Sequence, residues 1–173
     1  MKTTVQPEIA IIAAIADNGA IGYKGQIPWK IKEELELFKQ KTAGGWLICG
    51  TTTYKNHLER LQGKDDRIVV PVGKWENCRS LGEAIQYCGL QPNRKIWICG
   101  GARLYCEALQ LPLVTELHLS FINAEPIADT FFPRLYNPIG YVACGSSKWE
   151  VTEGTSLGHM EKYGFVHQVY KRV

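Results

Sequence analysis

The chain reads as a single α/β domain. The expected architecture is a mostly parallel central sheet with helices on both faces and antiparallel strands at the C-terminal edge. Three observations predict it. Residues 9–16, IAIIAAIA, are apolar on both faces, as a central parallel strand is. Short apolar strands then alternate with helical segments, the pattern of a sheet built by crossovers. The end of the chain is strand-rich, with strand-like segments near 141–150 and 163–172 and a glycine-containing joint that lets them pair as a hairpin. A length of 173 residues suits one domain with a proper core, here residues 1–173.

After the first strand, Asp17-Asn18-Gly19 is turn chemistry, and Gly22 and Gly25 give the following loop freedom to move. The loop passes through Pro28-Trp29 into an amphipathic helix over 31–42, ended by Gly44-Gly45. Trp46-Leu-Ile-Cys-Gly50 is a short buried strand, and Thr51-Thr52-Thr53 opens a helix running toward Arg60. That threonine run serves either as a plain N-cap or as part of an anion site. Arg67-Ile-Val-Val-Pro-Val72 is a third strand whose pairing is expected to end at Pro71. Ser80 with Glu83 forms a capping box for a helix reaching Tyr87 or Cys88. Lys95-Ile-Trp-Ile-Cys99, Gly100-Gly101 and a helix from Ala102 to Ala108 make a close-approach site for a phosphate or a planar ring. Glu116 to Asn123 alternates, which predicts a strand with His118 and Ser120 on a wetter face. Asp129-Thr-Phe-Phe-Pro133 is a turn with an aromatic anchor.

Composition narrows the function classes. Apolar residues at 45% and charged residues at 21% exclude a disordered chain. A net charge of +3 is too mild to argue for nucleic acid but suits small anionic ligands. The longest apolar run is far too short to cross a bilayer, and Glu8 and Asp17 flank it, against a secretory leader. A cytoplasmic, monomeric protein without membrane contact is expected. Six cysteines show no zinc spacing and the four histidines do not pair, so no metal is expected and no histidine is given a role. Cys49 and Cys99 read as reduced core thiols.

The amphipathic helix carries the most pointed signal. At 100° per residue, Ile31, Leu35, Phe38 and Thr42 share a face. Glu34 alone among its acids borders that stripe, while Glu33 and Glu36 fall opposite. A carboxylate at such an edge, beside a tryptophan, is either an ordinary helix-edge glutamate or a functional acid.

Taken together, the pieces resemble the dihydrofolate reductase family from end to end. They are Ala13-Ala14, Ile21-Gly22, Pro28-Trp29, Glu34 with Phe38-Lys39, Gly50 before Thr53, Cys99-Gly100-Gly101 with Tyr105, and Asp129-Thr130-Phe-Phe-Pro133. The order and spacing of so many pieces make the match specific. The resemblance implies reduction of dihydrofolate by NADPH, with hydride going to C6 and a proton to N5. It implies that Glu34 holds the pterin amino group and ring nitrogen, that Trp29 orders a water nearby and that Ser120 hydrogen-bonds the carboxylate. The implied substrate walls are Ile12, Ala13, Ala14, Ile27, Leu35 and Phe38, joined by Lys39, Cys99 and Tyr105. Ala14, Ile21 and Tyr105 would line the nicotinamide pocket. The rest of the cofactor would lie along Gly22, Gln26, Gly50, Thr51, Thr52 and Thr53, along Val70, Pro71 and Lys74, and along Cys99, Gly100, Gly101, Ala102, Arg103 and Leu104. The Gly100-Gly101 bond is usually cis in this family.

Three departures qualify the resemblance. Thr51 stands where the family has a cation that reads the cofactor 2′-phosphate, which leaves Lys74 or Arg103 as substitutes. No arginine aligns cleanly with the family's partner for the substrate carboxylate, which leaves Lys64 and Arg67. The stretch from Tyr54 to Gly63 lacks the family's Gly-Arg-Pro pattern, so the outer wall of the substrate site has no clear counterpart. Pairing of Glu34 with Trp46-Leu-Ile-Cys-Gly50 resembles trimethoprim-tolerant bacterial relatives, which predicts weak trimethoprim binding with methotrexate still bound. Reduction of a non-folate pterin or of a riboflavin-pathway pyrimidine, and a non-catalytic ligand-binding role, are the other readings. Pro28-Trp29 with Glu34 argues against the pyrimidine, and their retention beside Gly100-Gly101 against a non-catalytic role.

Overall fold

A computed structural model describes residues 6–63, 65–74, 78–91, 93–133, 141–144, 147–157 and 164–173. In chain order the elements are β1 (Ile9–Ala16), β2 (Ala20–Gly22), α1 (Lys32–Thr42), β3 (Trp46–Gly50), α2 (Thr51–Leu61), β4 (Ile68–Val72), α3 (Leu81–Gly89), β5 (Ile96–Ile98), α4 (Ala102–Leu109), β6 (Glu116–Ile122), β7 (Thr130–Phe131), β8 (Tyr141–Cys144), β9 (Ser147–Leu157) and β10 (Phe165–Arg172).

Eight strands form one sheet in the order β4-β3-β5-β1-β6-β10-β9-β8. The pairs from β4 to β6 are parallel and those from β6 to β8 antiparallel. The parallel half is buried on both faces, which is why its strands read as continuous apolar runs. Alternate residues of β1 serve opposite layers. Ile9, Ile11, Ala13 and Ile15 pack with Leu81, Ile85, Leu104 and Leu109 of α3 and α4. Ala10 and Ile12 pack with Phe38 of α1 and Leu61 of α2 on the other face.

Four local expectations need correction. β6 has no wet face: His118 and Ser120 are both buried, His118 against Trp97 and Lys41 and Ser120 against His167. Pro71 does not end the pairing, since Cys49↔Pro71 and Gly50↔Val72 continue it. β4 is an edge strand, so the missing proline N–H costs no ladder bond. The segment 141–150 is not one strand: β8 pairs antiparallel with β9, and β9 runs on to Leu157. The loop after β1 contains β2, which pairs with β7. The aromatic anchor of that turn is Phe132, buried against Tyr105 with ring centroids 4.9 Å apart.

Elsewhere the helix cap expected at Ser80 is present. The Ser80 hydroxyl accepts from the Glu83 N–H at 3.2 Å, the first half of the capping box, while the Glu83 carboxylate accepts from that same hydroxyl at 3.0 Å rather than from the Ser80 N–H. Cys49, Cys78, Cys88, Cys99 and Cys106 are free thiols. Among the described residues, no helix is long and apolar enough to cross a membrane, and no His/Cys/Asp/Glu group could hold a metal ion.

Candidate active site

The carboxyl ends of β1, β3 and β5 converge where strand order departs from chain order, the place where open α/β sheets bind ligands. Two cavities open there. One, of about 110 Å³, lies between β1, α1 and α2. The other is a groove of about 750 Å³ between the starts of α2 and α4. Ile21, Thr53, His57 and Gly101 line both, so the cavities meet.

The smaller cavity is built around Glu34. Ile31 is the N-cap of α1, in an extended conformation and without a side-chain cap, and it is itself buried. Glu34, Phe38 and Thr42 then turn inward, and Glu34 is only 5% exposed. A carboxylate that deep must be paired. Its partner is Arg60 at the end of α2, whose Nη2 donates to both carboxylate oxygens at 3.0 Å. Ile12, Ala13, Ala14, Ile27, Phe38, Cys99 and Tyr105, named above for the substrate wall, line this cavity together with Trp29 and Gly100, and the Tyr105 hydroxyl donates to the Ile12 carbonyl at 2.8 Å. Trp29 is buried, and its Nε1 has no hydrogen-bond partner among the described residues. Burial holds the Cys99 thiol well above its ordinary value, and the Cys49 thiol rises to about 12 for the same reason, so neither is a nucleophile at neutral pH.

Several residues fall elsewhere than expected. Leu35 is off the wall and Leu37 is on it, because the cavity lies on the Glu34 side of the helical stripe. Lys39 is exposed and outside the lining. Ser120 does line the cavity, but its hydroxyl is 2.8 Å from His167 Nδ1 and makes no bond to Glu34. Arg67 is buried off the lining, where Nε donates to Asp65 at 2.6 Å and Nη1 to the Arg60 carbonyl at 3.4 Å. Lys64 lies outside the described residues. Sequence reasoning missed Arg60, His57 and His167; Arg60 is 26 residues from its partner, and no local pattern marks it.

Behind Ser120 sits a buried polar chain. Lys41 Nζ donates to His118 Nδ1 at 3.0 Å, and His118 Nε2 then donates to Glu116 at 2.8 Å. Lys95 also donates to Glu116, at 2.5 Å. Hydrogen bonding from His118 and Lys95 holds Glu116 down at about 2, against an opposing effect of burial. Burial, with the Lys41 and His118 charges adding, pushes His167 down to about 4.

The groove suits a dinucleotide. The helices α2 and α4 both start at a glycine N-cap without a side-chain cap, so their first N–H groups are free for phosphate. Gly100 adopts φ +107°, and its bond to Gly101 is cis. A Cβ at Gly100 would lie 3.2 Å from the Tyr105 hydroxyl, so the backbone there is bare by necessity. Gly22, Gln26, Gly50, Thr51, Thr52, Thr53, Ala102, Arg103, Leu104 and Lys74 line the groove as expected. Val70 and Pro71 do not; the β4 edge reaches it two residues later, at Val72 and Gly73. Thr51 packs on Gly73, where a Cβ would meet its methyl at 3.0 Å, which places Thr51 next to the Lys74 segment.

A groove that suits a dinucleotide, meeting a small cavity with one buried carboxylate, fits a nicotinamide-dependent reductase of a small heterocycle. Comparison with known proteins makes this specific. The Dihydrofolate reductase family model matches residues 8–172. A dihydrofolate reductase of Buchnera aphidicola is 34% identical over 133 residues, covering 73% of this chain and 79% of its own. A dihydrofolate reductase type 5 of Escherichia coli is 30% identical over 142 residues, covering 75% and 84%. Among solved structures, a dihydrofolate reductase from Enterococcus faecalis complexed with NADP(H) and RAB-propyl shares the fold, with a TM-score of 0.77 at 23% identity over 96% of this chain and 97% of that one. The chain belongs to the dihydrofolate reductase family, and so is an NADPH-dependent oxidoreductase that reduces dihydrofolate to tetrahydrofolate.

Proposed function

We propose that the chemistry runs at the junction of the two cavities, with Glu34 as the acid–base residue. The observation that carries this is a deeply buried carboxylate at the end of a ring-sized cavity, open to a groove whose helix starts fit a diphosphate. When bound, NADPH supplies the hydride. The free N–H groups of α2 and α4, with Thr52 and Thr53, hold the diphosphate, and Lys74 and Arg103 face the 2′-phosphate. The bare backbone at Gly100-Gly101 lets a planar ring approach between Ala14, Ile21 and Tyr105. Glu34 accepts from the pterin amino group and ring nitrogen, fixes the ring's face and raises the proton affinity of N5. Trp29 Nε1 donates to the water that brings the proton. Apolar walls at Ile12, Ile27, Leu37 and Phe38 keep bulk water out, which strengthens the Glu34 contact.

The test is oxidation of NADPH, followed by its absorbance, with dihydrofolate and then with a pterin lacking the glutamate tail. Turnover of dihydrofolate above the tail-less pterin supports the reading. Turnover of the tail-less pterin alone moves the substrate to a non-folate pterin.

A further inference from the structure

The Glu34–Arg60 pair is not required by the reaction just described. Both oxygens of Glu34 accept from one guanidinium nitrogen, and no other donor among the described residues reaches them. The ring that Glu34 is to hold contains the unit N–C(NH2)–N, a cyclic counterpart of guanidine. Arg60 therefore offers the carboxylate the same kind of planar N–H donors as the ligand. With Arg60 in its wall, the cavity has about 110 Å³. Sites that enclose a drug-sized ligand usually have roughly 300–1,000 Å³.

We propose that Arg60 is a built-in competitor for Glu34, holding the carboxylate in the free protein until the ligand ring displaces it. It thereby sets specificity, favouring ligands that give its guanidinium a new partner. This rests on the ring site assigned above. Arg60 is placed to move. It lies three residues beyond His57, whose φ of −128° and ψ of 21° break the regularity of α2. Its guanidinium stands 5.1 Å from the centre of the Phe38 ring, and its side chain is 23% exposed, so it already borders solvent. Arg67 faces the same ring at 5.9 Å but is tied to Asp65. A displaced Arg60 joins Arg67 at a cationic rim, where an anionic substituent on the ligand compensates it. A ligand without an anion removes Arg60 from its buried partner and returns nothing.

The experiment compares trimethoprim, a 2,4-diaminopyrimidine with no anionic group, and methotrexate, a 2,4-diamino ring with a glutamate tail. Each is titrated into wild type, Arg60→Gln and Arg60→Lys holoenzyme by tryptophan fluorescence, with thermal unfolding measured alongside. Arg60→Gln should tighten trimethoprim about tenfold or more, the scale of one charge-assisted hydrogen bond. Methotrexate should tighten less or weaken, and Arg60→Lys, a cation without the fork, should fall between. Trimethoprim binding that is unchanged or weaker in both variants overturns the proposal, as does equal weakening of both ligands with a lowered Tm, the mark of a purely structural arginine. If Arg60→Gln does not fold, Arg60→Lys decides alone: tightening supports the competitor, and no tightening removes it. Failure of the functional reading looks different, because wild type itself would then bind no methotrexate and oxidise no NADPH with dihydrofolate.

Discussion

At the scale of the residue, Glu34 is the group on which the assigned chemistry turns. Glu34→Gln keeps the shape and removes the charge, so kcat at neutral pH should fall by roughly two to four decades, as for other positioned acid–base groups. The loss should shrink at low pH, where free substrate is protonated in solution. Activity within about threefold of wild type at neutral pH would exclude the assignment. Ser120→Ala should cost far less, under about tenfold in kcat/KM, because its hydroxyl engages His167 and not the carboxylate. A loss of a hundredfold would show that Ser120 turns to Glu34 during turnover. Glu34 was legible in sequence because a wheel places it at the edge of an apolar stripe. Arg60 was not, since its pairing depends on how two helices lie across one face of the sheet. The Ser120–His167 contact was hidden for a similar reason: His167 comes from β10, a strand whose register with β6 no local pattern fixes.

At the scale of the element, the starts of α2 and α4 and the short β2–β7 pair do most to shape the site. Thr51 can give a phosphate one neutral hydrogen bond but no charge, whereas a charge-assisted contact is worth about 1.5–3 kcal/mol. Discrimination between NADPH and NADH should therefore depend on Lys74, which shares the groove with Thr51. Lys74→Ala should reduce the ratio of kcat/KM for the two cofactors by roughly 10-fold or more and flatten its salt dependence, and Thr51→Arg should raise it. A ratio above a thousandfold that survives Lys74→Ala and Arg103→Ala would move the phosphate elsewhere. The loop has its own tether: the Lys24 N–H donates to Asp129 at 2.9 Å, and the Thr130 hydroxyl donates to it at 2.9 Å. Those bonds, the Lys24 N–H first, hold the Asp129 carboxyl below its usual range. Asp129→Ala should free the loop and lower kcat several-fold while leaving Tm near wild type, which steady-state kinetics and a thermal melt would show together. The long elements were legible because period and capping agree in them. β2 and β7, with three and two residues, carry no period to read.

At the scale of the whole molecule, the parallel half of the sheet builds the ligand sites, and the antiparallel half supplies a buried ionisable layer behind them. The two halves were legible from the early strand–helix alternation and the strand-rich end. The layer was not, because alternation in β6 signals a solvated face when read alone. Burying His118 and His167 there makes stability depend on pH in a fixed direction. Both have folded-state values below the ordinary 6.5, His167 at about 4, chiefly through burial, with the Lys41 charge also acting on each. Below about pH 6.5 the unfolded chain therefore binds protons that the native state refuses, and stability falls as pH drops toward 4. Glu116 acts lower and with the same sign. Its carboxylate is held at about 2, so its contribution is complete above about pH 4.5 and lost as pH falls through 2. Tm should thus decline already between pH 7 and 5, where Glu116 does not yet titrate. His167→Gln, which keeps a hydrogen-bonding group beside Ser120 but cannot titrate, should flatten that upper part of the curve and leave the decline below pH 4.5 in place. Melts of both proteins from pH 7.5 to 3.5 test this. Equal slopes between pH 7 and 5 would show that His167 takes up its proton in the native state as readily as in the unfolded chain.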